Sequence, residues 1–248
     1  MKKLIALILA LMLAFAGVSA MAESLKMCTN AAFPPYEFYD ENSEATGIDV
    51  EIAKAVCAKL GYDLEIVDIE FDQCIPGVQS GKYDFAAAGM TVTEERKQMV
   101  QFTDTYATAQ QVVIVPADCE MTSLDDFVAA NGTVKVGVQR ATTGDLYMTW
   151  DYEDAGKGTV DRYPIGAGAV EALKAGKVDC VVIDNEPAKN FVAQNEGLKI
   201  LESAYTTEEY AMAFSKESPI YADFNAALNE LIEDGTVKGI IDSFIPAE

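Results

Sequence analysis

The sequence predicts an α/β fold of two units, each a mostly parallel sheet flanked by helices, with the units joined by two strand crossings. Three observations predict it. Strand-like and helix-like runs alternate with short links from Leu25 to Ala88, the pattern of a parallel sheet with helices on its faces. The same alternation recurs from Gln111 to Leu201. No flexible linker separates the two stretches. The chain instead reads as continuous strand near Thr108 to Val112 and again near Ser203 to Thr207, so two units sharing a two-strand hinge are expected.

Residues 1–22 read as a leader rather than as fold. Lys2-Lys3 precede the apolar run Leu4 to Val18, and Ala20-Met21-Ala22 is a small-residue cleavage site, the plan of a secretory signal peptide. The apolar run is too short for a spanning helix. The expected first unit covers 23–110 with a return segment over 206–248, and the second unit covers 111–205.

In the first unit, Leu25 to Thr29 reads as a strand and Asn30 to Phe38 as a loop, because Pro34-Pro35 forbids helix. Asp40 to Glu44 is a polar turn. Val50 to Leu60 carries apolar residues at helical spacing and stops at Gly61. Asp63 to Ile69 is the next strand and Ile75 to Ser80 a short helix. Lys82 to Phe85 opens a buried strand that runs into Ala86-Ala87-Ala88-Gly89. Thr93 then caps a new helix that has Glu94 and Glu95 in its first turn.

The second unit opens with a strand over Gln111 to Val115, ended by Pro116. Ser123 starts a helix through Ala130. Val134 to Val138 is a strand that runs into Thr142-Thr143-Gly144, the start of another helix. A short strand at Tyr163 to Ile165, a helix from Ala167 to Ala175 and a buried strand from Val178 to Ile183 follow. Asp184 ends that strand, Pro187 suits the first turn of a helix reaching about Asn195, and Leu198 to Leu201 is a further strand. Tyr210 to Phe214 reads as one strand, and Ile220 to Ile245 holds two closing helices.

Composition narrows the function classes. Loss of Lys2 and Lys3 with the leader takes the formal charge from −22 to −24. Nucleic acid is therefore not an expected partner, since binding it needs clustered Lys and Arg. The chain has no His, which removes His-based triads and the common zinc sites; no metal, cofactor or catalytic residue is expected. The five cysteines, Cys28, Cys57, Cys74, Cys119 and Cys180, are an odd number without a Cys-x-x-Cys. They read as small buried hydrophobes, with a Cys28–Cys57 bridge as the alternative.

The candidate site lies just past the carboxyl ends of strands, where such sheets bind ligands. Gly89 lets backbone approach a guest, Thr91 offers a hydroxyl, and Arg96 falls in the first turn of its helix. A guanidinium there matches the two oxygens of a carboxylate. Thr142 and Thr143 at a helix start add donors. Asp184 can cap a helix or hold a cation. Phe33 and Phe71 are large apolar groups on loops, placed as core or as walls around a side chain. Each feature alone has an ordinary structural explanation. Together they are the negative image of an α-amino acid.

These motifs resemble the bacterial extracellular solute-binding proteins of the polar-amino-acid branch, the receptors of ABC importers. The resemblance rests on Thr29 to Glu37, Gly47 to Glu51, Ala88 to Arg96, Phe102-Thr103-Asp104, Val136 to Gln139 with Thr142 to Gly144, Val178-Asp179 with Asp184, and Asp234-Gly235-Thr236. It implies a two-lobed periplasmic-binding-protein (type II) clamshell, a periplasmic or extracellular location, a monomer, and a free amino acid and membrane permease subunits as partners. It also implies roles. Arg96, Thr91 and the Gly89 backbone hold the α-carboxylate with Thr142 and Thr143. Asp184 and the Ala88–Gly89 carbonyl region take the ammonium. Phe33 and Phe71 flank the side chain, and Asn30 faces it. Where Asn30 stands, relatives that take cationic or amide side chains often have Asp, so a polar or small neutral ligand is expected. The family often has Gly at Ala141. Arg140 is extra positive charge near the cleft, expected in solvent and favouring an acidic ligand if it turns inward. The alternatives are an exported dehydratase-type enzyme on this fold and a ligand-sensing partner protein.

Overall fold

The computed structural model describes residues 23–201 and 206–246; the expected leader and the Ser203 part of the return crossing lie outside the described residues. Strand β1 (Ser24–Thr29) leads into a small hairpin sheet of β2 (Ala32–Phe33), β3 (Glu37–Tyr39) and β4 (Ala45–Thr46). The Pro34-Pro35 turn carries the chain between β2 and β3, which pair antiparallel with Phe33 opposite Glu37. Helix α1 (Ile48–Leu60) buries Ile48, Val50, Ile52, Ala53, Val56 and Cys57 and ends at Gly61 in the left-handed conformation, a glycine C-cap. It starts two residues earlier than its periodicity suggests. β5 (Asp63–Asp68), a 3₁₀ turn at Phe71–Gln73, α2 (Cys74–Gln79), β6 (Phe85–Ala86), α3 (Glu94–Met99) and β7 (Gln101–Phe102) complete the first stretch.

The long strand β8 (Ala107–Pro116) carries the chain to a second sheet. There follow α4 (Leu124–Asn131), capped by the Ser123–Asp126 capping box, β9 (Val134–Gln139), α5 (Thr143–Met148), β10 (Gly158–Tyr163), α6 (Gly166–Lys174), β11 (Cys180–Asp184), α7 (Asn185–Gln194) and β12 (Leu198–Ile200). β13 (Thr206–Tyr210) returns the chain, and β14 (Ala213–Phe214), α8 (Tyr221–Glu233) and α9 (Thr236–Phe244) close it.

The first sheet has the order β5-β1-β6-β14-β7 and the second β10-β9-β11-β8-β12, with β13 paired to β8. Both are mixed: β1 is parallel to β5 and β6, and β9 to β10 and β11, while β14, β8 and β12 run antiparallel to their neighbours. The hinge is the antiparallel pair of β8 and β13, with Gln111 opposite Thr206 and Ala107 opposite Tyr210.

Three element readings change. The loop read over Asn30 to Phe38 carries the short paired strands β2 and β3. The strand placed at Tyr163 to Ile165 lies instead at Gly158–Tyr163. Pro164 has no N–H for the ladder and ends the strand before it. The single strand read from Tyr210 to Phe214 is two strands in different sheets, because β13 pairs with β8 and β14 with β6 and β7. Ala211 and Met212 carry the chain from one sheet to the other.

The return segment is welded to the first sheet by aromatics. Phe85 on β6, Phe214 on β14 and Phe224 on α8 are fully buried with ring centroids 4.8–5.3 Å apart. All five cysteines are free thiols, four of them buried. Cys28 sits beside Cys74, its Sγ 3.9 Å from the Cys74 carbonyl, whereas Cys57 belongs to a different core cluster; the Cys28–Cys57 bridge is not formed. Among the described residues no helix is long and apolar enough to cross a membrane. Truncating Phe224 to Ala removes the weld's central ring. Urea unfolding of the variant should show a loss of about 3–5 kcal/mol, and a loss under about 1 kcal/mol would mean the return segment is not held by this cluster.

Candidate functional site

The carboxyl ends of β1, β6, β9 and β11 converge where the two sheets face one another, and the nearly closed cavity between them is lined by Asn30, Phe33, Glu37, Phe71, Ala88, Gly89, Thr91, Arg96, Gln139, Thr142, Thr143 and Asp184. Every residue expected from the sequence is there. Glu37 and Gln139 are additions.

Arg96 is the centre. Thr93 caps α3 by accepting from the Arg96 N–H at 3.1 Å, which fixes where the side chain leaves the helix. The residue is 5% exposed. Its Nη1 donates to the Thr91 carbonyl at 2.8 Å, and its Nη2 donates to the Ala141 carbonyl of the second lobe at 3.0 Å. The guanidinium carbon lies 5.4 Å from the centre of the Phe71 ring, a cation–π distance. Two carbonyls use two of its five N–H donors, so a fork remains for a bidentate anion.

The walls follow from backbone placement. Gly89 has φ 51, and a Cβ there would lie 3.0 Å from the Phe33 ring, so the glycine lets Phe33 close over the floor. The Gly89 N–H donates to Asp49 Oδ2 at 2.8 Å, which pins that turn to the start of α1. Phe33 stacks on Tyr36 at 6.1 Å, and Tyr36 meets Tyr210 edge-on at 4.9 Å. Tyr210 donates its hydroxyl to Asp184 Oδ1 at 2.5 Å, orienting the carboxylate at the end of β11.

The hydroxyls are arranged differently from expectation. Thr142 donates to the Gln139 carbonyl at 2.8 Å and accepts from the Asp145 N–H as the cap of α5. Thr91 and Thr143 both donate to Glu208 Oε2, at 2.7 and 2.9 Å, and Gln111 Nε2 joins them at 3.2 Å. A hydroxyl has one hydrogen. These three are spent on protein acceptors, so in this arrangement the donors left for an anion are Arg96 and backbone N–H groups. Asn30 is likewise engaged, donating to the Ile69 carbonyl at 2.9 Å and accepting from Gln139 Nε2 at 2.9 Å across the cleft.

The electrostatics are lopsided. Glu37, Asp49, Asp184 and Glu208 are all buried, and Glu208 and Asp184 act on the Arg96 guanidinium. Burial pushes the Asp49 carboxyl up to about 7 against the pull of its hydrogen bond from Gly89. Burial and then Glu208 raise Asp184. Burial, then Asp49 and Asp184, hold Glu37 well above the usual carboxylate range. Arg96 is lowered by burial, while Glu208 and Asp184 favour its charge. A cation brought into this cleft favours the charged form of each of these acids.

Residues 25–247 match the bacterial extracellular solute-binding proteins, family 3. The chain belongs to that family. This solute-binding protein is 30% identical to the arginine-binding extracellular protein ArtP of Bacillus subtilis, over the whole of both chains. It is 31% identical to the L-arginine-binding protein of Pseudomonas aeruginosa, covering 98% of this chain and 96% of that one. It superposes on an ancestral arginine-binding protein bound to arginine with a TM-score of 0.83 and 38% identity, covering 90% of this chain and 99% of the other. These relatives are named for binding, and the type II clamshell is their shared architecture.

Three buried polar residues of this solute-binding protein were not singled out by sequence. Glu37 had a signal in the short turn at Pro34-Pro35, which sets it opposite Phe33. Gln139 had one as the polar end of an apolar strand. Glu208 had one too, since a period of two puts it on the same face of β13 as Tyr210.

Asp49 yields a prediction without ligand. Between the ordinary value of 3.8 and about 7, the folded chain keeps a proton that the unfolded chain has lost, so this group's stabilising contribution falls as pH rises through that window. Asp49→Asn abolishes the titration. Urea unfolding should find the variant gaining on wild type from pH 5 to pH 8. An equal difference at both pH values would contradict the assignment.

Proposed function

We propose that this protein is the substrate-binding component of an ABC-type importer, taking up a free L-α-amino acid between its lobes and delivering it to a membrane permease. The observation that carries the reading is the buried Arg96 guanidinium, stacked on Phe71, sharing one cavity with the Tyr210-oriented Asp184. Arg96 takes the α-carboxylate, with backbone N–H groups at Thr91 and at the start of α5. Asp184 takes the ammonium. Phe33 and Phe71 flank the side chain. The lobes are residues 23–110 with 206–248, and 111–205, and they close about β8 and β13 as a hinge. The protein works as an exported monomer, and its ligand leaves chemically unchanged.

The neutral ligand expected from Asn30 gives way to a side chain rich in donors. The Asn30 amide is already bonded to Ile69 and Gln139, while Glu37 Oε2 is buried and has no hydrogen-bond partner. A guanidinium, ammonium or amide satisfies it, and arginine answers it best because it brings both charge and a planar fork. The names of the relatives agree with this ranking.

Thermal unfolding of refolded protein against the twenty amino acids tests the reading. A ligand at 100 times its Kd adds about 2.7 kcal/mol; a shift with arginine, lysine or glutamine is expected, and no shift with any amino acid would overturn it. Arg96→Ala should abolish the shift. Glu37→Gln should weaken arginine binding by at least about tenfold, from the loss of a charge-assisted bond of roughly 1.5–3 kcal/mol, with a smaller effect on glutamine. Equal losses for both ligands would remove Glu37 from the side-chain site.

A further inference from the structure

One turn of the second lobe, residues 139–143, makes contacts across the cleft and to the hinge strand β13. Gln139 reaches Asn30, the Ala141 carbonyl receives Arg96, and Thr143 reaches Glu208. Arg140 differs from its neighbours in the turn. It does not line the cavity. Its Nη2 lies 2.7 Å from Glu70 Oε2 and its Nε 2.9 Å from Asp72 Oδ2. Glu70 and Asp72 flank Phe71, the cavity wall on which Arg96 stacks. Arg140 therefore grips the outer side of the wall while Arg96 holds the inner side. Ala141 between them has φ 61, the left-handed region, and this sharp bend sends the Arg140 side chain to the rim while the Ala141 carbonyl faces Arg96.

We infer that Arg140 is a latch that sets how long the cleft stays shut on its ligand, a positioning residue that touches the wall and never the ligand. The inference rests on the amino-acid reading above. It replaces both sequence expectations for Arg140, since the guanidinium neither floats in solvent nor turns toward the ligand. The side chain is 43% exposed, so a single pair here would contribute little. Two carboxylates converging on one rigid fork give a geometry that opening must break entirely. The cost falls on opening, hence on koff.

A charge-only role predicts the opposite sign for a cationic ligand. Removing a positive charge near the mouth speeds capture of a cation and tightens binding. Removing a latch weakens binding. A direct ligand contact would act differently on cationic and neutral ligands, whereas a latch acts equally on both.

The test is stopped-flow displacement with L-arginine and L-glutamine as probes, comparing wild type with Arg140→Met. The latch predicts koff raised about two- to fivefold, by the same factor for both probes, with kon unchanged or higher. The gap should narrow in about 0.5 M salt, where exposed charges are screened. The Glu70→Gln, Asp72→Asn double variant should reproduce the rise, and adding Arg140→Met to it should change nothing further. An unchanged koff, or a rise confined to one probe, overturns the latch. If wild type binds neither probe, the amino-acid reading fails by itself, and small-angle scattering without ligand still decides the latch: a larger radius of gyration for Arg140→Met supports it, equal radii refute it.

Discussion

A guanidinium is held out of water between two lobes, and the rest of the molecule is arranged to make that tolerable. Burying a lone cation is costly, and the cost is offset only by close, well-oriented partners. Arg96 has a carbonyl from each lobe, a ring beneath it and buried carboxylates around it. One of its hydrogen bonds reaches Ala141, so the arrangement is complete only when the lobes meet. The same group that we propose takes the ligand's carboxylate therefore also reports closure. Its charge is permanent, which leaves the acids as the groups that adjust.

The topology explains why those acids gather. Parallel strands deliver their carboxyl ends to one edge, and two such edges face each other across β8 and β13. Glu208 lies on the hinge strand itself and collects Thr91 from one lobe, Thr143 from the other and Gln111 from the partner hinge strand. The threonines that frame the site are thus oriented from the hinge. Under the proposed reading, that acidic surplus is what would favour a ligand carrying more positive than negative charge.

Much of this was legible in the sequence. The cap at Thr93 placed Arg96, the small-residue run marked the close approach at Gly89, and the apolar strand ending in Asp184 marked a carboxylate at a sheet edge. Phe33 and Phe71 stood out as large apolar groups on loops. What stayed hidden depended on register. Whether Glu37 points inward is decided by its pairing opposite Phe33, and whether Glu208 does is decided by the face of β13 that Tyr210 occupies. The hydroxyls of Thr91, Thr142 and Thr143 line the cavity as the sequence suggested, and here each donates to a protein acceptor, because a sequence does not show which acceptor claims a single hydrogen. The change of sheet at Ala211 and Met212 was invisible for a related reason: both sides of the crossing are buried, and the hydrophobic pattern runs through it unbroken.

The central claim is that Arg96 recognises a carboxylate while the acids recognise cations. Calorimetric titration of the refolded protein with L-arginine and with agmatine, its decarboxylated analogue, tests it most directly. The account predicts that arginine binds and that agmatine, which keeps the guanidinium and an amine but offers Arg96 nothing, binds at least about a hundredfold more weakly, the roughly 3 kcal/mol at the upper end for a charged hydrogen bond. Comparable affinity for the two would contradict it, and would make the cleft a receptor for amines in which Arg96 is only a structural clasp.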